Sequence, residues 1–272
     1  MKLLLDTGII TGSELAEPAK REKLVWWGGF KIADKEIGYK KRQLDDEEQQ
    51  KQIDALPTIG RLIRENAISA FTYNELQFES FRRSVPVQAF YALKGCHIAH
   101  CDSPIERSKF RKTIDIDEHV SKGGKKDIKS NGSLGEANQI PFIEWLVQLS
   151  EEDVKSIIRN RDGFDLTDFE VESFNQIGWL KFVCGRLQTR ESYPDAFHLW
   201  AAERNKIDVF LTLEKKLPNN VEQIQNSKNK QYEITTLVLR PIEFLKHVGI
   251  VRLDDAEIMP DVFYPFQNGH NA

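Results

Sequence analysis

Four short apolar segments, separated by stretches with helical periodicity, constrain the fold of this chain more than any other feature. The segments are residues 2–6, 67–73, 207–212 and 234–239. Amphipathic helices are predicted at 57–66, 195–206 and 241–249, so that helices alternate with the apolar segments. Short buried strands that alternate with helices indicate βαβ units and a mainly parallel sheet. The sequence therefore predicts the α/β class.

Two regions interrupt this alternation and are predicted to be insertions into a smaller core. They lie at 16–52 and at 82–190. We therefore expect residues 1–81 together with 191–272 to form the core domain, and 82–190 to form an inserted, mainly helical subdomain.

The second insertion combines a predicted loop with predicted helices. Residues 121–139 are rich in Gly, Ser, Asn and Lys, a composition typical of loops. Helical patterns follow at 140–150 and 166–187. Two pairs have the spacing of a capping box, Ser150 with Asp153 and Thr167 with Glu170. The four lysines of the loop form either a basic patch or a solvated stretch.

The composition describes an ordinary globular chain. Its 272 residues are 40% hydrophobic and 29% charged, and no run approaches the roughly 20 apolar residues that span a bilayer. The chain has three cysteines, a small and odd number that argues against a disulfide framework. We therefore expect a cytoplasmic protein with no membrane partner. The net charge of −4 argues against an overall basic nucleic-acid binder, although acidic segments can mask a local basic face.

Acidic residues follow the predicted strands at the points where ligands bind in parallel sheets. Asp6 ends the first strand, Glu75 follows the second, and Glu214 follows the third, while Asp195 opens the helix that leads into the third strand. Helix capping is an alternative role, because three pairs also have capping-box spacing. They are Thr72 with Glu75, Ser192 with Asp195, and Thr11 with Glu14.

Acids from several strand ends that converge at one edge favour a divalent metal site. Mg²⁺ and Mn²⁺ prefer carboxylate oxygens and keep several waters. Such an ion can bind a scissile phosphate, activate water and neutralise the leaving oxygen of a phosphodiester. Acids that only cap helices have no reason to converge.

The same segments resemble PIN-domain proteins. Four stretches carry the resemblance in the order of that family, LLLDTGII, TYNELQFE, YPDAFHLWAAERNKIDVFLTLEKKL and LRPIEFLKHVGI. The third stretch is the most specific, because it matches over some twenty-five consecutive positions, and the match covers about half of the chain. The resemblance implies a parallel-sheet αβα sandwich and the activity of Mg²⁺- or Mn²⁺-dependent ribonucleases, many of which are toxins of bacterial toxin–antitoxin pairs.

The resemblance also implies roles for particular residues. Asp6, Glu75, Asp195 and Glu214 would form the catalytic metal site, and Thr212 would support it. Position 214 departs from the family pattern, which has Asp there, and the additional methylene displaces the carboxylate. Glu79 lies one helical turn after Glu75 and is a second supporting candidate.

Two functions from different classes follow from these residues. The first is a metal-dependent nuclease that hydrolyses phosphodiester bonds of RNA, with single-stranded DNA left open as the substrate. The second is a catalytically weak PIN-like domain that serves as a protein- or nucleic-acid-binding module. An antitoxin or other protein partner and a homodimer are both left open.

Other sites are weaker candidates. The segment CHIAHC at 96–101 combines two Cys and two His, but their spacing differs from common zinc ligand sets, so incidental packing is the competing interpretation. His198 is expected to be packed, at the surface, or near phosphate. Gly8 stands where a haloacid-dehalogenase-type enzyme needs its second Asp, which excludes that class. No glycine-rich phosphate-binding loop follows a strand.

Overall fold

A central parallel sheet organises the chain in a computed structural model that describes residues 1–80, 90–110, 134–187, 189–227, 231–255 and 257–265. Five strands form this sheet in the order β5-β4-β1-β6-β7, and every neighbouring pair is parallel. The strands are β1 (Lys2–Leu5), β4 (Ser69–Thr72), β5 (Ile98–His100), β6 (Val209–Leu211) and β7 (Leu237–Leu239).

The apolar strands are buried because both faces of the sheet are covered. Leu3 and Leu5 point into one hydrophobic cluster, whereas Leu4 between them belongs to the other. In strand β6, Phe210 lies on the same face as Leu4, whereas Val209 and Leu211 lie on the opposite face. Alternate residues of a strand point to opposite faces, so a doubly covered strand must be apolar throughout. The chain therefore has a mixed α/β architecture in which helices flank a parallel sheet.

The helices that cover the sheet come from the whole length of the chain. They are α1 (Thr7–Gly12), α2 (Glu47–Asp54), α3 (Leu56–Arg64), α4 (Asn74–Ser80), α5 (Leu134–Gln148), α6 (Glu151–Arg159), α7 (Asp168–Asn175), α8 (Ile177–Arg186), α9 (Tyr193–Arg204), α10 (Lys216–Asn226) and α11 (Pro241–His247). Two 3₁₀ turns, Arg107–Phe110 and Arg190–Ser192, complete the described helical segments.

The four predicted strands are confirmed as neighbours in one parallel sheet, each shorter than its apolar run. The fifth strand, β5, was not predicted, and it lies inside the segment 82–190. Side chains from that segment also share a hydrophobic cluster with the sheet, because Phe142 and Leu180 belong to the cluster of Leu4 and Phe210.

Two predictions within 82–190, one of a loop and one of a helix, need correction. The predicted loop at 121–139 is helical from Leu134 onwards, and 121–133, with its four lysines, lies outside the described residues. The predicted helix at 166–187 is two helices, α7 and α8, which meet at Gln176. Both predicted capping boxes are confirmed, at the starts of α6 and α7.

A second, antiparallel sheet stands apart from the parallel one in the order β2-β3-β8. Its strands are β2 (Ala16–Trp27), β3 (Phe30–Lys41) and β8 (Tyr264–Pro265). The first two form a long hairpin, which occupies most of the predicted insertion at 16–52. Across the described part of the chain, every helix is too short or too polar to cross a membrane.

Candidate functional site

The candidate site lies at the carboxyl ends of the central strands. The chain places β4 and β5 on one side of β1, and later places β6 and β7 on the other side. The strand order therefore reverses at β1, and a reversal of this kind opens a crevice beyond the strand ends. Asp6 follows β1 at this point, which makes it the natural centre of the site.

Asp6 and Thr212 form the hydrogen-bonded centre of this edge. The hydroxyl of Thr212 donates to Oδ2 of Asp6 at 2.7 Å, and the backbone N–H of Asp6 donates to the carbonyl of Leu211 at 3.0 Å. Burial raises the pKa of Asp6 and the Glu79 charge raises it further, against the opposing effects of Thr212 and His198. Thr212, which was predicted to support the site, thus contacts Asp6 directly.

Asp195 is brought to the same edge by the first turn of α9. The pKa of Asp195 is raised to about 7, first by burial and then by the negative charges of Asp6, Glu214 and Glu79, against the opposing charge of His198. Three other acids thus lie close enough to repel the Asp195 carboxylate. Carboxylates that repel one another at a strand edge are poised to bind a cation.

Glu214 lies beside this cluster on a more exposed turn. Its backbone N–H donates to the Thr212 hydroxyl at 3.0 Å, so Thr212 connects the turn to Asp6. The Glu214 side chain is exposed, and its charge acts on Asp195.

Glu79 is paired with a buried histidine. Its Oε1 lies 3.0 Å from Nε2 of His198, and its Oε2 accepts a hydrogen bond of 2.7 Å from the Thr7 hydroxyl. Burial alone would raise the pKa of Glu79, but the His198 charge and these hydrogen bonds outweigh it and lower the pKa to about 2. Glu79 is therefore a fixed anion, whose two oxygens are already engaged by groups of the chain.

His198 carries the matching positive charge. Burial alone would lower its pKa, but Glu79, Asp6 and Asp195 outweigh that effect and raise the pKa to about 9. Its Nδ1 lies 2.5 Å from the hydroxyl of Tyr73, which is fully buried. His198 is thus the packed residue that the sequence analysis allowed, and its cationic ring faces three acids.

Glu75 is held by an arginine instead of standing free. Arg107 contacts both carboxylate oxygens, through Nε at 3.2 Å and Nη2 at 3.0 Å. Burial raises the pKa of Glu75, and the Arg107 ion pair opposes that rise. Sequence reasoning missed Arg107, because it lies outside the predicted helices of 82–190 and belongs to none of the motifs.

The capping alternative fails for all three pairs. Ser192 makes no side-chain capping bond at the start of α9, and the Thr72 hydroxyl is buried without a hydrogen-bond partner among the described residues. Thr11 lies inside α1 and donates to the Thr7 carbonyl, so it does not start a helix. The acids at 75 and 195 are therefore not there to complete capping boxes.

The carboxylates at this edge suit a hard divalent cation that is bound partly through water molecules better than one bound by direct protein contacts alone. Among the residues that the structure describes, no three His, Cys, Asp or Glu side chains are close enough to hold an ion as they stand. Mg²⁺ commonly binds through one or two carboxylates, several waters and a substrate phosphate, so three direct protein ligands are not needed. Burial and then neighbouring negative charges raise the pKa values of Asp6 and Asp195, and a bound cation would favour their charged forms.

The cysteines of the CHIAHC segment have separate surroundings. The Cys96 thiol donates to the Gly60 carbonyl at 3.2 Å, and Arg64 donates to the Cys96 sulfur at 3.8 Å. Cys101 is buried beyond the end of β5, and burial raises its pKa to about 12. In sequence, Cys96 precedes β5 and Cys101 follows it, so the two thiols lie beyond opposite ends of the strand.

No protein-family model matches this chain, and neither a curated protein nor a solved structure matches it. The parallel sheet with its flanking helices is compatible with a PIN-like αβα fold.

Proposed function

We propose that this chain is a PIN-like, metal-dependent nuclease that hydrolyses phosphodiester bonds of RNA. The observation that carries the proposal is that Asp6 and Glu214 both raise the pKa of Asp195 at the point where the strand order reverses. A carboxylate that its neighbours repel in the folded chain lowers stability, and a site that binds a cation gives a reason to retain it. The four motifs that resemble the PIN family include these three acids.

The chain would hold Mg²⁺ or Mn²⁺ through Asp6 and Asp195, with Glu214 acting directly or through a water. The bound ion would supply a water of lowered pKa and would neutralise charge on the phosphate. Thr212 fixes the carboxylate of Asp6 through its 2.7 Å hydrogen bond to Oδ2. Glu79 and His198 neutralise one another beside these acids, and they hold the first turn of α1 through Thr7.

A second candidate is the catalytically weak, PIN-like binding module. The observation that favours it is the Arg107–Glu75 ion pair, because the resemblance assigns Glu75 to the metal site and Arg107 occupies both of its oxygens. In the nuclease, Asp6, Asp195 and Glu214 must suffice, or Arg107 must release Glu75 when metal binds.

An RNA cleavage assay tests the nuclease. Purified protein is incubated with end-labelled single-stranded RNA and Mn²⁺ or Mg²⁺, and cleavage should stop when a chelator is added. Asp6→Asn should lose at least about a hundredfold in rate, because even residues behind the metal ligands cost ten- to a hundredfold. Asp162→Asn, an identical change at an exposed position, is the control and should cleave like the wild type. A wild type that is inert on RNA and single-stranded DNA with every metal would refute the nuclease and favour the binding module.

A further inference from the structure

The hairpin of β2 and β3 forms a long arm, defined here as residues 16–41. Trp27 pairs with Phe30 across the two-residue turn Gly28-Gly29, whose φ angles of +58° and +85° suit a tight hairpin turn. Each strand has 12 residues, so the arm extends roughly 40 Å at about 3.3 Å per residue. Its base is held by pairing of Tyr39 with Tyr264 on β8.

The end of the arm exposes large apolar side chains. The exposed fractions are 66% for Leu24, 70% for Trp26, 76% for Trp27 and 74% for Phe30. By contrast, Trp179 and Trp200 are buried in the body of the protein. Grouped exposed rings on a soluble chain mark an interaction surface more often than chance.

The arm is also the basic part of an acidic chain. Residues 16–41 contain seven Lys or Arg and four Asp or Glu, a net charge of +3, whereas the whole chain has a net charge of −4. Lys31 lies across the hairpin from Trp26, and its ammonium group is 5.2 Å from the ring centroid. Positive groups interleaved with exposed aromatic rings are the pattern that binds single-stranded nucleic acid, because bases stack on the rings and phosphates pair with the cations.

We infer that the arm tip, residues 24–32, binds single-stranded RNA by stacking bases on Trp26, Trp27 and Phe30. Lys31, beside Trp26, contacts the phosphates, whereas Lys23, Lys40 and Lys41 form ion pairs with acids of the chain. This inference deepens the proposed function, on which it rests for the choice of RNA, by assigning the surface that captures the substrate.

The distribution of side chains favours RNA over a second copy of the chain. Residues directly opposite in an antiparallel hairpin share a face, so Trp27 and Phe30 lie on one face and Trp26 lies on the other. A flat protein partner would cover only one of these faces, whereas a flexible strand can reach both. Six of the seven cations are lysines, and lysine is depleted in protein–protein interfaces.

The arm is connected to the acidic site by a short path. Helix α1 begins directly after Asp6 and has six residues, about 9 Å in length. Strand β2 begins four positions after α1 ends. The base of the arm is therefore joined to Asp6 by helix α1 and the short connection after it, and the tip lies roughly 40 Å beyond that base.

A binding assay without metal separates this inference from catalysis. Wild-type protein is titrated with a fluorescently labelled oligouridylate of about 16 nucleotides in the presence of a chelator, so that cleavage cannot occur. Trp27→Ala should raise Kd about ten- to a hundredfold, which is the effect of losing one base-stacking ring. Trp27→Phe retains a ring and should bind within about threefold of the wild type. Val251→Ala removes an exposed apolar side chain outside the arm and should bind like the wild type.

The salt dependence tests the cationic part of the surface. Lys31→Ala should reduce the slope of log Kd against log salt concentration by about 0.7, the value for one lost contact to a single strand. Lys155→Ala removes an exposed lysine of α6 and should leave the slope unchanged. These variants lie on exposed positions, and unchanged circular dichroism would verify that each one folds.

Three results would overturn the inference. They are failure of the wild type to bind RNA, equal affinity of Trp27→Ala and wild type, and a wild-type dimer that Trp27→Ala converts to a monomer without weakening RNA binding. The last result would assign the arm to self-association. Arm-dependent binding in a protein that never cleaves would support the inference and refute only the nuclease.

Discussion

Replacing Asp195 by asparagine should stabilise the protein at alkaline pH. Burial and the charges of Asp6, Glu214 and Glu79 together raise the pKa of Asp195 from 3.8 to about 7, against the opposing charge of His198. A carboxyl whose pKa is higher in the folded chain favours unfolding as pH rises, because the unfolded chain ionises first. The cost begins above about pH 3.8 and is complete above about pH 7. The asparagine variant cannot ionise and avoids this cost.

The size of the effect follows from the same shift. A pKa that rises from 3.8 to about 7 corresponds to about 4 kcal/mol above pH 7, and to less than half of that at about pH 5. Asp195 is partly exposed, so solvent reduces the full figure. We expect the stability advantage of Asp195→Asn to grow by about 2 kcal/mol between pH 5 and pH 8.

Urea unfolding at about pH 5 and pH 8 in the presence of a chelator measures this difference. The exposed Asp162→Asn serves as the matched control, and its difference from wild type should not change with pH. Added Mn²⁺ should stabilise the wild type more than Asp195→Asn, because only the wild type retains that ligand. A variant that is less stable than wild type at pH 8, or a difference independent of pH, would show that the Asp195 carboxylate is satisfied and is not part of a repelling cluster.

Two further variants examine the neighbouring residues. Glu79→Gln should destabilise the protein by about 2–3 kcal/mol, because it removes the charge that pairs with buried His198. The loss of stability should be largest between about pH 4.5 and 6.5. Below this range the stability from Glu79 disappears as pH falls toward about 2, and above it the stability from His198 disappears as pH rises toward about 9. Thermal unfolding across this range measures the loss, and a loss that does not vary with pH would count against the ion pair. Glu214→Asp should raise the RNA cleavage rate, because the shorter side chain restores the residue typical of PIN domains; an unchanged or lower rate would show that the longer side chain is no handicap.

Much of the sheet could be predicted from the sequence, because a strand covered on both faces is apolar at consecutive positions and not only at alternate ones. Leu3, Leu4 and Leu5 are all buried, and the same holds for the residues of β6. Strand β5 escaped prediction because it lies at the edge of the sheet, where Ile98 and Ala99 are only partly buried and His100 is exposed. The break between α7 and α8 also escaped, because the apolar spacing continues across Gln176.

The hairpin was missed for a different reason. Its strands are mainly exposed and carry charges at many positions, so they show no buried face. Gly28-Gly29 between Trp27 and Phe30 was the available signal, since two glycines between strand-forming residues favour a tight turn.

The sequence predicts which acids lie at the ends of the strands, but it does not predict which side chains form ion pairs with them. Sequence order and the parallel sheet place Asp6 and Glu214 at one edge, and a helix before β6 adds Asp195. Spacing along the chain cannot show that Arg107 neutralises Glu75, because the two meet only through tertiary packing. The pairing of Glu79 with His198 likewise joins residues 119 positions apart.

A crystal soaked in Mn²⁺ tests the central claim most directly, because anomalous scattering locates the ion without reference to activity. We predict a peak at the carboxyl edge of β1 and β6, within direct or water-bridged reach of Asp6 and Asp195. The same soak of Asp6→Asn should lose the peak, whereas Asp162→Asn should retain it. A wild-type crystal with no peak at this edge, or with manganese bound only elsewhere, would contradict the account of this edge as a metal site.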